Sequence, residues 1–166
     1  ALAVGDAQIA ALKADVRARR QVCRRTHGAP FSETLGIVAL AEAALGGEDS
    51  RIEALQDMLF PKIRNVTLDD GGHVSRSPAI LADILNRILA LEAAMKARTV
   101  QVPATLVETR RRMQAMLALI CHSDGGLGLF NGATARTAIE IAPLLVGLDA
   151  KNVMSYAQRS GYQRLA

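Results

Sequence analysis

Two glycine-rich loops carry the residues of this chain that are best suited to chemistry. The first loop runs from Asp70 to Pro78 and begins Asp-Gly-Gly-His, and the second runs from His122 to Gly132 and contains a further Asp-Gly-Gly. Glycine is costly inside helices and useful where the backbone turns sharply or approaches a ligand. We therefore predict that these loops display the functional side chains of an otherwise helical protein.

In the first loop, His73 and Arg76 are the leading candidates. His73 has a side chain that could act as a base or bind a carboxylate, and the alternative is a loop histidine that is hydrogen-bonded to the backbone. Arg76 precedes a predicted helix N-terminus, where the helix dipole also favours anions. It could bind an anionic substrate, or it could be a solvated charge or a partner of Asp70.

The second loop is bracketed by His122 and Asn131. His122 ends a predicted helix, where a cation is favoured by the dipole, and catalysis is the other interpretation. Asn131 begins an ordinary Asn-Gly turn, which favours a structural role. The alternative is a supporting role in substrate binding. Asp70 and Asp124 are candidates for substrate binding, and stabilisation of their own turns is the alternative.

Composition predicts one domain with a substantial core, since the chain has 166 residues and half of them are apolar. Only 3% are aromatic, and the formal net charge is +4. Arginine suits bidentate recognition of carboxylates and phosphates, so an anionic partner is compatible with this excess, as is a solvated surface. Cys23 and Cys121 have no metal-ligand spacing around them. We expect free thiols or one disulfide, with no metal and no cofactor.

No apolar run is long enough to predict a membrane span, and the first residues lack the order of a signal peptide. The chain begins without Met, as a processed chain or a piece of a longer protein would. The compartment is left open, with the bacterial periplasm and cytoplasm both compatible.

Apolar spacing predicts helices along most of the chain. The predicted helices cover about 6–25, 32–45, 49–66 with a kink at Pro61, 78–95 after an N-cap at Ser77, 103–120, and 134–148 with a bend at Pro143. A helix, an Asp-Gly-Gly loop and another helix occur twice, about 54 residues apart. This order predicts an all-α fold of repeated antiparallel hairpins.

The sequence resembles the heparinase II/III family of polysaccharide lyases. The similarity is carried by the two loops, by residues 110–116 and by the closing residues 160–165. The resemblance covers about 17–165, and it implies an incomplete α/α toroid followed by an antiparallel β domain. Residues 1–158 would then be part of the helical domain, and 159–166 an extended segment leading to the missing β-sandwich domain. Tyr162 would occupy a strand position or line the cleft.

The resemblance also implies β-elimination of an acidic, uronate-containing polysaccharide or oligosaccharide. A base removes the C5 proton, and a nearby donor or cation stabilises the charge that develops on the carboxylate. His73 and His122 would be catalytic, whereas Arg76, Asn131, Asp70 and Asp124 would bind substrate.

One departure bears on this activity. Members of the family often have Ser-Pro-x-Tyr-His after the first loop, but Ile80 and Leu81 stand at the last two positions here. Neither side chain can move a proton, so either other residues do this work or the scaffold has lost the chemistry.

The alternative function is a non-catalytic helical module that binds an anionic glycan or a protein partner. Arginine-rich runs, including 17–25 and 110–112, could contact sulfate, uronate or a nucleic acid backbone, or could form solvated helix faces. No helix-turn-helix pattern or aromatic platform accompanies them, so we predict no specific binding of nucleic acid. A homo-oligomer and the missing β domain are the other expected partners.

Overall fold

A computed structural model describes residues 60–61, 63–97, 99–149, 151 and 153–164 of the chain. The predicted helices over about 6–25 and 32–45, the arginine run at 17–25 and Cys23 lie outside these residues. Of the helix predicted over 49–66, the described residues 60–61 and 63–66 are helical.

The chain forms two compact units. Unit 1 comprises Ala1–Ile63 and Ala90–Gln101, and unit 2 comprises Arg64–Leu89 and Val102–Ala166. Both glycine-rich loops belong to unit 2. The candidate site therefore lies within unit 2.

The described elements are mainly helical. They are α1 (Pro78–Ala97), α2 (Ala104–Ile120), α3 (Ala138–Ile141), a 3-10 helix (Ala142–Leu145), and the short strands β1 (Tyr156–Ala157) and β2 (Tyr162–Gln163). The two strands pair antiparallel, with Tyr156 opposite Gln163 and Ala157 opposite Tyr162. The mainly helical class is confirmed, but the all-α expectation is corrected by this hairpin. Residues 158–161 form its turn, so the segment expected to be extended from Arg159 begins within that turn.

Helix α1 begins at Pro78, as its sequence predicts. Proline suits the first helical position because its missing N–H has no intrahelical partner there. The predicted apolar stripe is buried at Leu81, Leu85, Ile88, Leu91 and Met95, and Ile84 is half-buried. Burial of this face stabilises the helix, because the intrinsic helix propensity of a short segment gives it little stability in water. None of the helices in the described ranges is both long and apolar enough to cross a bilayer.

Helix α2 follows Pro103 and is anchored by a buried glutamine. Gln114 is fully buried, and its Nε2 donates to the carbonyl oxygens of Leu144 at 2.7 Å and Val146 at 3.2 Å. Its Oε1 accepts a hydrogen bond from Arg110 Nη1 at 2.7 Å. A buried amide is stable only when its polar atoms are paired, so Gln114 fixes the 3-10 helix against α2.

Replacing Gln114 with leucine is expected to lower the free energy of unfolding by about 2 kcal/mol, because the buried Leu144 carbonyl would lose its donor. Urea denaturation of the chain measures the effect. Gln158→Leu, at an exposed turn position, is the matched control and should change stability by less than about 0.5 kcal/mol. Equal losses in the two variants would contradict the anchoring role.

The helix predicted over about 134–148 is shorter than expected. It begins at Ala138, after Thr137, whose backbone N–H and Oγ1 both donate to the Glu140 carboxylate at 2.8 and 3.0 Å. Four residues later the backbone changes to the 3-10 helix that contains Pro143. Proline lacks the N–H that an α-helix needs at this point, so the predicted bend becomes a change of helix type.

Candidate functional site

The two Asp-Gly-Gly segments fold into the same backbone turn. Turn A (residues 66–74) has three backbone hydrogen bonds, from Leu68 N to Gly72 O, from Gly71 N to Leu68 O and from Val74 N to Val66 O. Turn B (residues 120–128) repeats them about 54 residues later, from His122 N to Gly126 O, from Gly125 N to His122 O and from Gly128 N to Ile120 O. Each turn also closes with an antiparallel bridge. The sequence repeat is therefore a structural repeat.

The Asp-Gly-Gly motif explains the shape of both turns. Asp70 Oδ1 accepts a hydrogen bond from Gly72 N at 3.1 Å, and Asp124 Oδ1 accepts one from Gly126 N at 2.8 Å. The intervening glycine has a positive φ in each case, 86° in turn A and 81° in turn B. Other residues rarely adopt this conformation, so the aspartate and first glycine are needed for the turn itself.

Asp70 has a second set of contacts that Asp124 lacks. Its Oδ2 accepts a hydrogen bond from Ser160 N at 2.6 Å, and its Oδ1 accepts one from Ser160 Oγ at 2.8 Å. Burial raises the pKa of Asp70, but hydrogen bonds from Ser160, Gly72 and Arg159 outweigh it and hold the pKa below its usual value. Asp70 thus ties turn A to the hairpin across 90 residues of sequence.

His73 is held by its own loop. Its Nδ1 accepts a hydrogen bond from Ser75 N at 3.1 Å and lies 2.7 Å from Ser75 Oγ. Because an amide N–H donates to Nδ1, the proton of the neutral ring is on Nε2. Ser77 N in turn donates to Ser75 Oγ at 3.2 Å. This chain of hydrogen bonds leads from the imidazole to the residue that precedes α1.

Three segments meet at the main-chain oxygen of Arg76. The Arg76 carbonyl accepts hydrogen bonds from Asn131 Nδ2 and Tyr162 Oη, both at 2.9 Å. Asn131 Nδ2 also donates to Tyr162 Oη at 3.2 Å. Arg76 and Asn131 both have left-handed backbones, with φ of 56° and 48°. This conformation costs about 1–2 kcal/mol for Arg76, whereas asparagine tolerates it. The junction therefore engages the backbone of Arg76 and not its guanidinium.

Tyr162, for which the sequence predicts a strand position or a place in the cleft, lies on β2 and lines the cleft. Its ring packs against Phe130 with centroids 5.0 Å apart and planes tilted by 47°. Burial raises the pKa of the Tyr162 hydroxyl, although the hydrogen bond from Asn131 and the charge of Arg76 act in the opposite direction. The phenol thus remains protonated at neutral pH and donates to the Arg76 carbonyl.

Replacing Tyr162 with phenylalanine is expected to lower the free energy of unfolding by about 1 kcal/mol, because the Arg76 carbonyl loses one donor while the aromatic packing is kept. Thermal denaturation of the chain measures it. Tyr156→Phe is the control, since Tyr156 is 56% exposed on β1 and should be nearly neutral. An unchanged melting temperature for Tyr162→Phe would contradict the role of the hydroxyl.

The candidate residues do not share one cavity. His73 and Arg76 line a pocket of about 10 Å³ beside Tyr162, which is room for about one water molecule. His122 lines a separate cleft of about 410 Å³, which is also lined by Tyr162. The structure therefore brings together Arg76, Asn131 and Tyr162, but it places the two histidines in different pockets.

Sequence reasoning missed several residues of this region. Phe130 lies within the second loop but was not singled out, whereas Ser160 and Gln114 carry no local signal of their tertiary contacts. Within the described ranges, no three His, Cys, Asp or Glu side chains are grouped so that they could hold a metal ion.

Comparisons with known proteins point away from carbohydrate chemistry. No protein-family model matches the chain, and no solved structure matches it. The chain is similar to FtsZ-localized protein C of Caulobacter vibrioides (strain NA1000 / CB15N), with 28% identity over 165 residues. The alignment covers 96% of this chain and 29% of the relative, so the chain spans less than a third of that relative's length.

This comparison overturns the function that we expected from the loops. A polysaccharide lyase that cleaves acidic glycans by β-elimination is the wrong prediction, because the relative is named for localisation with FtsZ and not for a lyase activity. The error came from carrying over the activity that the resemblance of the loops to the heparinase II/III family implies. In the structure, Asp70 and Asp124 hold their turns, and Asn131 holds the Arg76 junction.

Proposed function

We propose that this chain is a helical, protein-binding module of a cell-division-associated protein that acts together with FtsZ. The observation that carries the proposal is its similarity to FtsZ-localized protein C along 96% of its length. Because the alignment extends over nearly the whole chain, it is better explained by a shared module than by a short motif.

The geometry of unit 2 supports a binding role. The polar groups of the two turns are used in hydrogen bonds to one another and to the hairpin, as in the Asp70–Ser160 and Asn131–Arg76 contacts. Such ties hold the surrounding surface in one conformation, which lowers the entropy lost on association. Beside them lies the cleft of about 410 Å³, which is within the range of ligand-binding pockets.

The proposed scaffold is an incomplete α/α toroid of the kind that the resemblance to the heparinase II/III family implies. Turns A and B are equivalent in hydrogen bonding and follow one another after about 54 residues, as consecutive helical hairpins of such a scaffold would. In this proposal the family scaffold serves protein binding.

Co-sedimentation with purified FtsZ tests the function. Full-length protein containing this chain is mixed with FtsZ in GTP and centrifuged, and we expect it in the pellet together with the polymers. The same mixture in GDP, without polymers, is the control. Recovery of the protein only in the supernatant under both conditions would overturn the proposal.

A second readout is position in the cell. A fluorescent fusion of the full-length protein should form a band at the division site and disperse when FtsZ is depleted. A uniform signal in dividing cells would argue against the proposal even if the purified proteins interact.

A further inference from the structure

We propose that the cleft beside Tyr162 binds an extended acidic peptide segment, which adds as a third strand to the edge of β2 that has no partner strand among the described residues. This inference rests on the proposed protein-binding function and names the class of partner that the cleft takes. Three features of unit 2 support it: the lining of the cleft, the orientation of β2 and the distribution of charge.

The cleft has an apolar side formed by the end of α2 and by an aromatic pair. Its volume is about 410 Å³, and its lining is Leu119, Ile120, Cys121, His122, Ser123, Phe130, Tyr162, Gln163 and Arg164. Phe130 and Tyr162 pack on each other and form one wall. A peptide with an apolar side chain would bury that side chain here, which favours binding through the hydrophobic effect.

The edge of β2 that faces this cleft pairs with no strand in the part of the chain that the structure describes. Arg164 N donates to Ser155 O at 2.9 Å, so residue 164 directs its amide toward β1. In an antiparallel pair successive residues direct their backbone groups to opposite sides, so the N–H and C=O of Gln163 point away from β1. Residues 162–164 line the cleft, whereas no residue of β1 does. An extended peptide lying in the cleft could therefore pair with Gln163, as in strand-addition recognition.

The charge of the lining selects an acidic peptide. Arg164 and His122 are exposed in the cleft, and its lining contains no aspartate or glutamate. Arg164 Nη1 donates to Ala118 O at 3.4 Å, which leaves other guanidinium N–H groups to meet a carboxylate. Asp124 of turn B is not part of this lining; burial raises the pKa of the Cys121 thiol, the charge of Arg164 lowers it and the charge of Asp124 raises it. Tyr162 and Arg164 are two residues apart and therefore share one face of the hairpin. A peptide that carries an acidic and an apolar residue two positions apart matches both the charge and the apolar side.

Fluorescence anisotropy with labelled hexapeptides tests the proposal on the full chain. In the probe, aspartate and valine stand two positions apart with threonine between them, and in its counterpart lysine replaces aspartate. We expect the acidic peptide to bind at least about tenfold more tightly, since like charges across an interface are penalised. An acidic peptide with N-methylated backbone should bind more weakly, because it cannot donate to the strand edge. Equal binding of the acidic and basic peptides would overturn the proposal.

Variants locate the binding to this cleft. Arg164→Glu should weaken binding of the acidic peptide by about tenfold or more, whereas Arg111→Glu, at an exposed position of α2 outside the cleft, should leave it within about twofold. Gln163→Pro removes the outward N–H and should also weaken binding, while the pairing of β1 with β2 is retained. Thermal denaturation checks that each variant is folded. Equal effects of Arg164→Glu and Arg111→Glu would contradict the site.

The outcomes separate this inference from the proposed function. If full-length protein sediments with FtsZ but the acidic peptide does not bind, the cleft proposal is wrong and the division role stands. If the peptide binds in the cleft but the full-length protein stays in the supernatant, the cleft proposal stands and the division role is wrong.

Discussion

Replacement of Gly71 by alanine is expected to lower the free energy of unfolding by about 3–4 kcal/mol. A Cβ at this position would overlap the main-chain carbonyl of Arg112 in α2, and the neighbouring Met113 N lies 2.8 Å from it. The φ of 86° adds a conformational cost for any residue with a side chain. Backbone atoms of a helix cannot move aside as a flexible side chain can, so turn A would have to separate from α2. Chemical denaturation of the chain measures the loss.

Gly132→Ala is the matched control for Gly71→Ala. Gly132 also has a positive φ, 74°, but a Cβ there meets nothing within 4 Å. We expect it to cost about 1 kcal/mol, the conformational part alone. A similar loss in both variants would show that close packing of turn A on α2 contributes nothing.

Replacement of Asp70 by alanine is expected to cost about 3 kcal/mol at neutral pH. Ser160 is 2% exposed, so its N–H and hydroxyl would be buried without their acceptor. Asp124→Ala is the control, because Asp124 makes the equivalent bond within its turn but has no contact like that to Ser160. We expect it to cost about 1 kcal/mol, and the difference between the variants measures the tie to the hairpin. Equal losses would contradict that tie.

The contribution of Asp70 should depend on pH in a defined direction. Its pKa in the folded chain is lower than the ordinary value of 3.8. A lowered pKa means that the folded state favours the charged form, so the stabilisation is fully present above the unfolded pKa and is lost as pH falls through the folded one. The stability difference between the chain and Asp70→Ala should therefore shrink below about pH 4. A difference that is constant from pH 7 to pH 2 would exclude an ionised acceptor.

Much of the local structure could be predicted from sequence because its causes are local. Pro78 and Pro103 mark the beginnings of α1 and α2, and apolar spacing identifies the face of α1 that is buried. The Asp-Gly-Gly motif predicts a turn wherever it occurs, because the aspartate and the glycine act within three residues of each other. The repeat was recognisable for the same reason.

The parts of the fold and of the site that the sequence did not predict depend on contacts between distant residues. Ser160 binds Asp70 and Tyr162 binds the Arg76 carbonyl, over 90 and 86 residues of sequence, and no spacing rule relates them. The predicted function was wrong for a different reason. His73, Asp70 and Asn131 are residue types that catalytic sites also use, so their presence in loops could not distinguish chemistry from turn stabilisation.

The junction at position 76 has an implication for how this protein can diverge. Asn131 and Tyr162 donate hydrogen bonds to a main-chain carbonyl oxygen, which every amino acid has. Selection for the junction therefore acts on the backbone conformation at position 76 and not on the arginine side chain. Related sequences should accept glycine, asparagine or aspartate there, which tolerate the left-handed conformation. If relatives keep arginine at this position, the side chain is instead selected for something other than folding, such as recognition of another molecule.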